Sequence, residues 1–234
     1  MIIRENNVKV DEYDEEIMIK PHLKEYKPEE LIFFDLEHYV YKKPKCIGVF
    51  GACEYDKKSK SLKVTQYMIE DKEEGVEILY MAEKYFERMR AKGKKAIVTF
   101  SGNNDFTVIK YLFKEEGIKY NFEEKFDSID IQKEYEKEKT TSIGLKNLEK
   151  MFGIEREGEV ISGSNLAKTF HKVIKDKSYF KRMPQEKIDK ILQYNEQDVT
   201  NLYVIFVNWK KYIINDISNI ADLDDIDEIE TGEI

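Results

Sequence analysis

The stretch "LIFFDLEHYVYKKPKCIGVFGACEYDKKSKSLKVTQYMIE", residues 31–70, decides the fold. It contains three runs rich in β-branched and aromatic residues: "LIFFDLE" (31–37), "KCIGVFGACEYD" (45–56) and "SLKVTQYMIE" (61–70). Such runs fit a pleated, half-buried surface, and "KKSK" between the second and third is a hairpin turn. The three read as an antiparallel meander. Downstream, "EEGVEILYMAEKYFERMRAKG" (73–93) has apolar residues at Leu79, Ala82, Tyr85, Phe86 and Met89, a helical period stopped by Gly93. "KAIVTFSG" (95–102) reads as a strand, "DFTVIKYLFKEEG" (105–117) as a helix, and "KFDSIDIQKEY" (125–135) as a strand entering a helix. The remainder is helical and ends in one long helix over 184–213, with Pro184 at its first position. Hairpin-linked strands followed by αβ crossovers predict an α/β fold: one mixed β-sheet, three antiparallel strands and then crossover strands, flanked by helices.

No internal repeat or linker interrupts this order. Residues 1–27 are expected to form an N-terminal arm packed on a single domain over 28–214, and 215–234 an acidic tail. The tail holds eight acids and no base from Asp216 onward; without those eight the chain has 39 acids against 39 bases. Overall charge therefore excludes neither phosphate binding nor its absence, whereas a local basic cluster remains able to bind phosphate. The tail itself reads as a solvated terminus or as an acidic segment that takes a protein partner.

No apolar run approaches the roughly 18 residues a membrane span requires. The first residues, "MIIRENNVKVDEYDEE", lack the basic start and apolar stretch of a signal peptide. Cys46 and Cys53 fall on one predicted strand, seven residues apart, and point to opposite faces about 23 Å from one another at 3.3 Å per residue. A disulfide between them is excluded by that reach. Reduced thiols and no membrane segment lead to the expectation of an intracellular, cytoplasmic protein.

Four acids stand where such a sheet would gather them. Asp35 and Glu37 are two apart on a strand and share a face. Asp105 opens the helix after the strand "KAIVTFSG". Asp198 lies on the long last helix, amid Ile191, Leu192, Val199 and Leu202, with Tyr194 one turn before it on the same face. Taken singly, each acid has an ordinary reading: a D-x-E pattern is common in a chain with 47 acids, and an Asp at a helix start is usually an N-cap. In apolar surroundings, however, an ionised carboxylate needs a cation or hydrogen bonds. Several such carboxylates in one place are usually held by a divalent metal. Oxygen donors favour Mg²⁺ or Mn²⁺ over zinc, and His22, His38 and His171 are too scattered for a histidine site.

"FFDLE", Asp105 after "TFSGNN", and "YNEQDV" resemble the three motifs of the DEDD 3′–5′ exonucleases, whose fold is ribonuclease H-like. The Y-x-x-x-D spacing of Tyr194 and Asp198 is similar to that of the tyrosine-bearing branch. "FDSIDIQKEY" followed by "SIGLKNLEKMFGI" resembles a stretch of YprB-type ribonuclease H-like domains. The resemblance covers about residues 28–210. It implies that Asp35, Glu37, Asp105 and Asp198 hold two Mg²⁺ or Mn²⁺ ions for phosphodiester hydrolysis, and that Tyr194 orients the attacking water. A phenol with a pKa near 10 suits positioning better than general-base work.

Basic residues interleaved with aromatics suit a single strand of DNA or RNA. That places Lys42, Lys43 and Lys45 in "YVYKKPK", and Lys181 and Arg182 in "KDKSYFKRMPQ", among the candidate substrate contacts. Asn103 and Asn104, in the turn before Asp105, join them. Two other functions stay open from the residues alone: a catalytically weak ribonuclease H-like module that binds nucleic acid or a protein partner, and a metal-dependent phosphoesterase for small molecules.

Overall fold

The structure is a computed structural model and describes residues 1–21, 24–158 and 161–214. The acidic tail, and with it the expected protein-binding segment, lies outside the described residues. Six strands form one sheet: β1 (Ile2–Lys9), β2 (Leu31–Tyr41), β3 (Lys43–Asp56), β4 (Ser61–Met68), β5 (Ala96–Thr99) and β6 (Asp127–Asp130). Their order is β1-β4-β3-β2-β5-β6. β2, β3 and β4 are the antiparallel meander, and β5 and β6 join parallel to β2, so the sheet is mixed as the sequence predicts.

The helices are α1 (Glu74–Ala91), α2 (Asn103–Glu115), α3 (Phe122–Lys125), α4 (Ile131–Lys139), α5 (Leu145–Met151), α6 (Gly163–Lys175), α7 (Gln185–Val207) and α8 (Trp209–Ile213). Alternation along β2 splits the core. Ile32, Phe34 and Leu36 face α1 and α2, while Leu31 and Phe33 face the C-terminal half of α7 and α8. Phe33 meets Tyr203 and Phe206 edge-on at 5.6 and 6.0 Å, a favoured aromatic geometry. Asp35 and Glu37 continue the Phe33 side of the strand, towards α7.

The N-terminal arm and the last long helix depart from the sequence reading, whereas the cysteines follow it. Residues 2–9 of the expected N-terminal arm are β1, an edge strand paired along its whole length with β4. Its side chains alternate half-buried and exposed, because an edge strand covers only one face. The single helix expected over 184–213 breaks at Asn208 into α7 and α8, and Pro184 caps α7 from outside it with extended backbone. Both cysteines lie on β3, buried and free, one in each core half. No described helix is long and apolar enough to cross a membrane.

Candidate metal centre

Strand β2, helix α7 and the turn into α2 deliver the acids. Asp35, Glu37 and Asp198 each offer an oxygen within 4.8 Å of the others; Asp35 is partly exposed, and Glu37 and Asp198 are buried. Asp105 is outside this compact trio but beside it. It is 6% exposed, and its carboxyl is held well above the usual range by burial and by the charges of Asp35, Asp198 and Asp130. Gly102 caps α2, and Asp105 makes no capping bond, so the commonest structural use of an Asp at this place does not apply. The His38 ring stands beside it, with Nε2 3.9 Å away. Burial lowers the His38 pKa, which leaves the ring neutral near pH 7.

The turn carrying Asp105 is tightly built. Ser101 has φ 54°, and a Cβ on Gly102 would lie 2.0 Å from Thr99 Oγ1, so only glycine fits. The Ser101 N–H donates to Asp130 Oδ1 at 2.9 Å, and the same oxygen accepts from the Gln132 N–H at 3.1 Å. Asp130 thereby ties the β5–α2 turn to the start of α4.

A row of cross-strand partners positions Asp35. Asp35 pairs with Gly51 on β3, and Gly51 with Gln66 on β4. Because Gly51 has no side chain, Asn195 of α7 lies flat against it; a Cβ there would sit 2.0 Å from Asn195 Oδ1. From that seat Asn195 Nδ2 donates to Asp35 Oδ2 at 3.1 Å, and its Oδ1 accepts from Gln66 Nε2 at 2.9 Å. Gln66 Nε2 also donates to the Leu192 carbonyl at 2.8 Å. The helix that brings Asp198 is therefore pinned to the strand that brings Asp35. None of Gly51, Gln66 or Asn195 announces itself in the sequence.

Arg156, in the loop after α5, was equally hidden. Its guanidinium bonds Asp198 and Glu149 together, with Nε 2.7 Å and Nη2 2.6 Å from the Glu149 oxygens. Both ends are buried: the side chains of Arg156 and Glu149 are 7% and 2% exposed. Asn201 Nδ2 adds a third bond to Glu149 at 2.9 Å. Arg156 Nη1 is buried with no hydrogen-bond partner among the described residues. One signal did exist: Glu149 falls on the apolar stripe that Leu145 and Leu148 of α5 form with Phe152 just after it, where a carboxylate requires a cation.

Tyr194 stands half-buried at the edge of the acids. The Arg156 and Lys146 cations lie 5.0 and 5.2 Å from its ring centroid. Burial, together with the charges of Asp198 and Glu37, raises its phenol well above 10. Electrostatically, the centre is short of positive charge. Burial pushes Asp35 up to about 6, and burial plus Asp35 pushes Asp198 up to about 8, although Arg156 pulls both the other way. Burial and then Asp35, Asp198 and Asp105 hold Glu37 well above its usual value. Arg156, shared with Glu149, and Lys146 do not balance the four carboxyl groups. An all-oxygen donor set so arranged fits a hard divalent cation.

The candidate substrate residues are more dispersed. Lys42, Lys43 and Lys45 sit at and just after the β2–β3 hairpin tip, which begins about 13 Å along the strand from Glu37. Lys43 Nζ is 3.4 Å from Glu115. Arg182 is paired with Asp176 and donates to the Ser178 carbonyl at 3.3 Å, so its charge is already partnered locally; Lys181 is exposed beside it. Asn103 and Asn104 are exposed on the first turn of α2, and Asn103 accepts from Lys133 at 3.3 Å.

A mixed sheet flanked by helices, with carboxylates gathered from its second strand and last long helix, defines a ribonuclease H-like α/β protein. Consistent with this, the family model described as the RNase_H superfamily matches residues 32–210, and the chain belongs to that superfamily. No curated protein and no solved structure matches it. Ribonuclease H-like nucleases generally use divalent metals and bind nucleic acid, and membership together with the acidic cluster indicates nuclease-type function.

Proposed function

We propose that the protein is a metal-dependent 3′–5′ exonuclease of the DEDD type. On this reading it acts on single-stranded or frayed DNA or RNA, in the tyrosine-bearing branch and close to YprB-type domains. The observation that carries the proposal is the convergence of Asp35, Glu37 and Asp198, with Tyr194 one turn before Asp198. Asp35, Glu37 and Asp198 would hold Mg²⁺ or Mn²⁺, with Asp105 completing a two-ion set. When bound, such ions supply a nucleophilic hydroxide at neutral pH and neutralise charge on the phosphodiester. The chain's own work is positional. The Asn195 bridge fixes the Asp35 carboxylate, Arg156 fixes that of Asp198, and the Tyr194 hydroxyl orients the attacking water. Its raised pKa keeps Tyr194 a hydrogen-bond donor and acceptor rather than a base.

The test incubates purified protein with 5′-labelled single-stranded DNA and RNA in Mn²⁺ or EDTA. A metal-dependent ladder receding from the 3′ end is expected. Binding without cleavage in any metal would replace this reading by a second one, a nucleic-acid-binding module, which the Arg156 guanidinium already seated on Asp198 favours.

Tyr194→Phe is expected to slow cleavage about a hundredfold, the scale of one lost transition-state hydrogen bond, while metal and strand affinity stay unchanged. Equal rates for the two proteins would make Tyr194 only a core aromatic. Metal dependence also carries a pH signature. Asp35 and Asp198 hold their protons more tightly when folded, with pKa values near 6 and 8 against about 4 unfolded. Their contribution to the metal-free fold is thus complete below about pH 4 and lost as pH rises through 6 and then 8. Cations bind the ionised carboxylates, so Mn²⁺ should raise the melting temperature more at pH 8 than at pH 5. An equal Mn²⁺ shift at both pH values would dismiss these carboxylates as the ligands.

A further inference from the structure

Helices α6 and α7 leave between them a groove of about 500 Å³ that no part of the proposed chemistry uses. Its charged lining is one-sided: Lys168 and Lys172 from α6 and Lys187 and Lys190 from α7, against the single carboxylate of Glu186. Lys168 and Lys172 are four residues apart and exposed, so they stand one turn apart on the same face. Across the groove, Tyr179 organises the opposing lysines. Lys172 Nζ lies 5.6 Å and Lys187 Nζ 5.9 Å from its ring centroid, and Lys187 Nζ is 3.4 Å from its hydroxyl. Ile161 and Tyr179 give the lining partly exposed apolar surface, Leu166 and Ile191 are buried behind it, and Asn165 and Thr169 add polar edges.

The groove adjoins the cleft beside Tyr194. Lys190 borders both it and the small cleft formed with Arg156, Gln193 and Tyr194. On the other side, Lys146 donates to the Ile161 carbonyl at 3.2 Å and lies over the Tyr194 ring. Ammonium groups around a partly exposed aromatic ring suit a single strand, whose phosphates meet the lysines while an unpaired base meets the ring; a duplex keeps its bases stacked away from such a ring.

We propose that this α6–α7 groove binds the single strand on the 5′ side of the scissile bond, with its phosphates on Lys168, Lys172 and Lys187 and its bases against Tyr179 and Ile161. The proposal rests on the nuclease reading for its direction, not for the binding itself. It moves strand recognition away from Lys181, Arg182 and the hairpin lysines to facing turns of two helices.

The experiment measures binding of 5′-fluorescein single-stranded DNA and RNA decamers to the full chain in EDTA, by anisotropy across a salt series. Lys168→Glu/Lys172→Glu should weaken binding at least about tenfold and, through the loss of two single-strand phosphate contacts, flatten the log–log salt slope by about 1.4. An unchanged melting temperature would show that the variant is folded. Independently, a photoreactive base placed a few nucleotides from the 3′ end should crosslink to Tyr179. Wild-type affinity in the double variant, or crosslinks confined to residues outside the groove, would overturn the proposal. If the variant cleaves with unchanged KM, the groove fails and the nuclease reading stands. If the wild type binds through the groove yet no metal supports cleavage, the nuclease reading fails and the groove stands. DNA and RNA arms that differ in affinity would identify the strand it takes.

Discussion

At pH 9, where Asp198 is ionised, Arg156→Met is expected to lower the stability of the metal-free protein by about 3–5 kcal/mol, the cost of stranding buried charges without their partner. The guanidinium touches Asp198 and Glu149, which are 4% and 2% exposed, so neither carboxylate can recover its lost partner from water. Asn201 supplies Glu149 with one hydrogen bond but no charge. For a chain of this size a loss of that order shifts the melting temperature by about 10 °C. Mn²⁺ should restore part of the loss, since a cation at Asp198 relieves one of the two stranded groups. The double variant Arg156→Met/Glu149→Gln should recover stability as well, by removing the other. A urea melt showing a loss under about 1 kcal/mol would place the pair among ordinary surface bridges and dismiss Arg156 as the counterion of the centre.

Asp35→Asn separates catalysis from stability by moving them in opposite directions. Removing one anionic ligand should cost about 4 kcal/mol of transition-state stabilisation, about a thousandfold in cleavage rate. Metal-free stability at pH 8 should rise, because the substitution deletes a charge that repels Glu37, Asp198 and Asp105. The Asn carbonyl oxygen still accepts from Asn195, so the cross-strand row survives. A variant that lost both activity and stability would show Asp35 to be structural. Asp105→Ala carries the same expectation for the rate; full activity would remove Asp105 from the set and leave the compact trio to act alone.

Legibility followed the range of the interactions involved. β2, β3 and β4 were readable because each is buried along most of its length, so composition alone marks them. β1 was not, since "IIRENNVK" gains its strand character from pairing with residues 61–68, far along the chain. The break at Asn208 has no proline or glycine to signal it. Within the centre, Asp35 and Glu37 could be placed on one face from spacing alone, and Tyr194 and Asp198 likewise. The compact trio that joins β2 to α7 reflects the sheet order, which spacing does not contain. Arg156 lies in the aperiodic "GIEREGEV" and could be sought only from the far side, by asking what balances Glu149. The lysines of the α6–α7 groove were individually ordinary solvated residues; only the packing of two helices makes them a lined channel.

The seat of Asn195 on Gly51 has a consequence in entropy. Asn195 and Asp35 are separated by 160 residues, yet one amide holds both its helix and the carboxylate in place. Freedom that a looser centre would surrender at every encounter with substrate is here surrendered once, when α7 docks on the sheet. Side-chain mobility at the acids should consequently melt together with the α7–sheet contact rather than ahead of it.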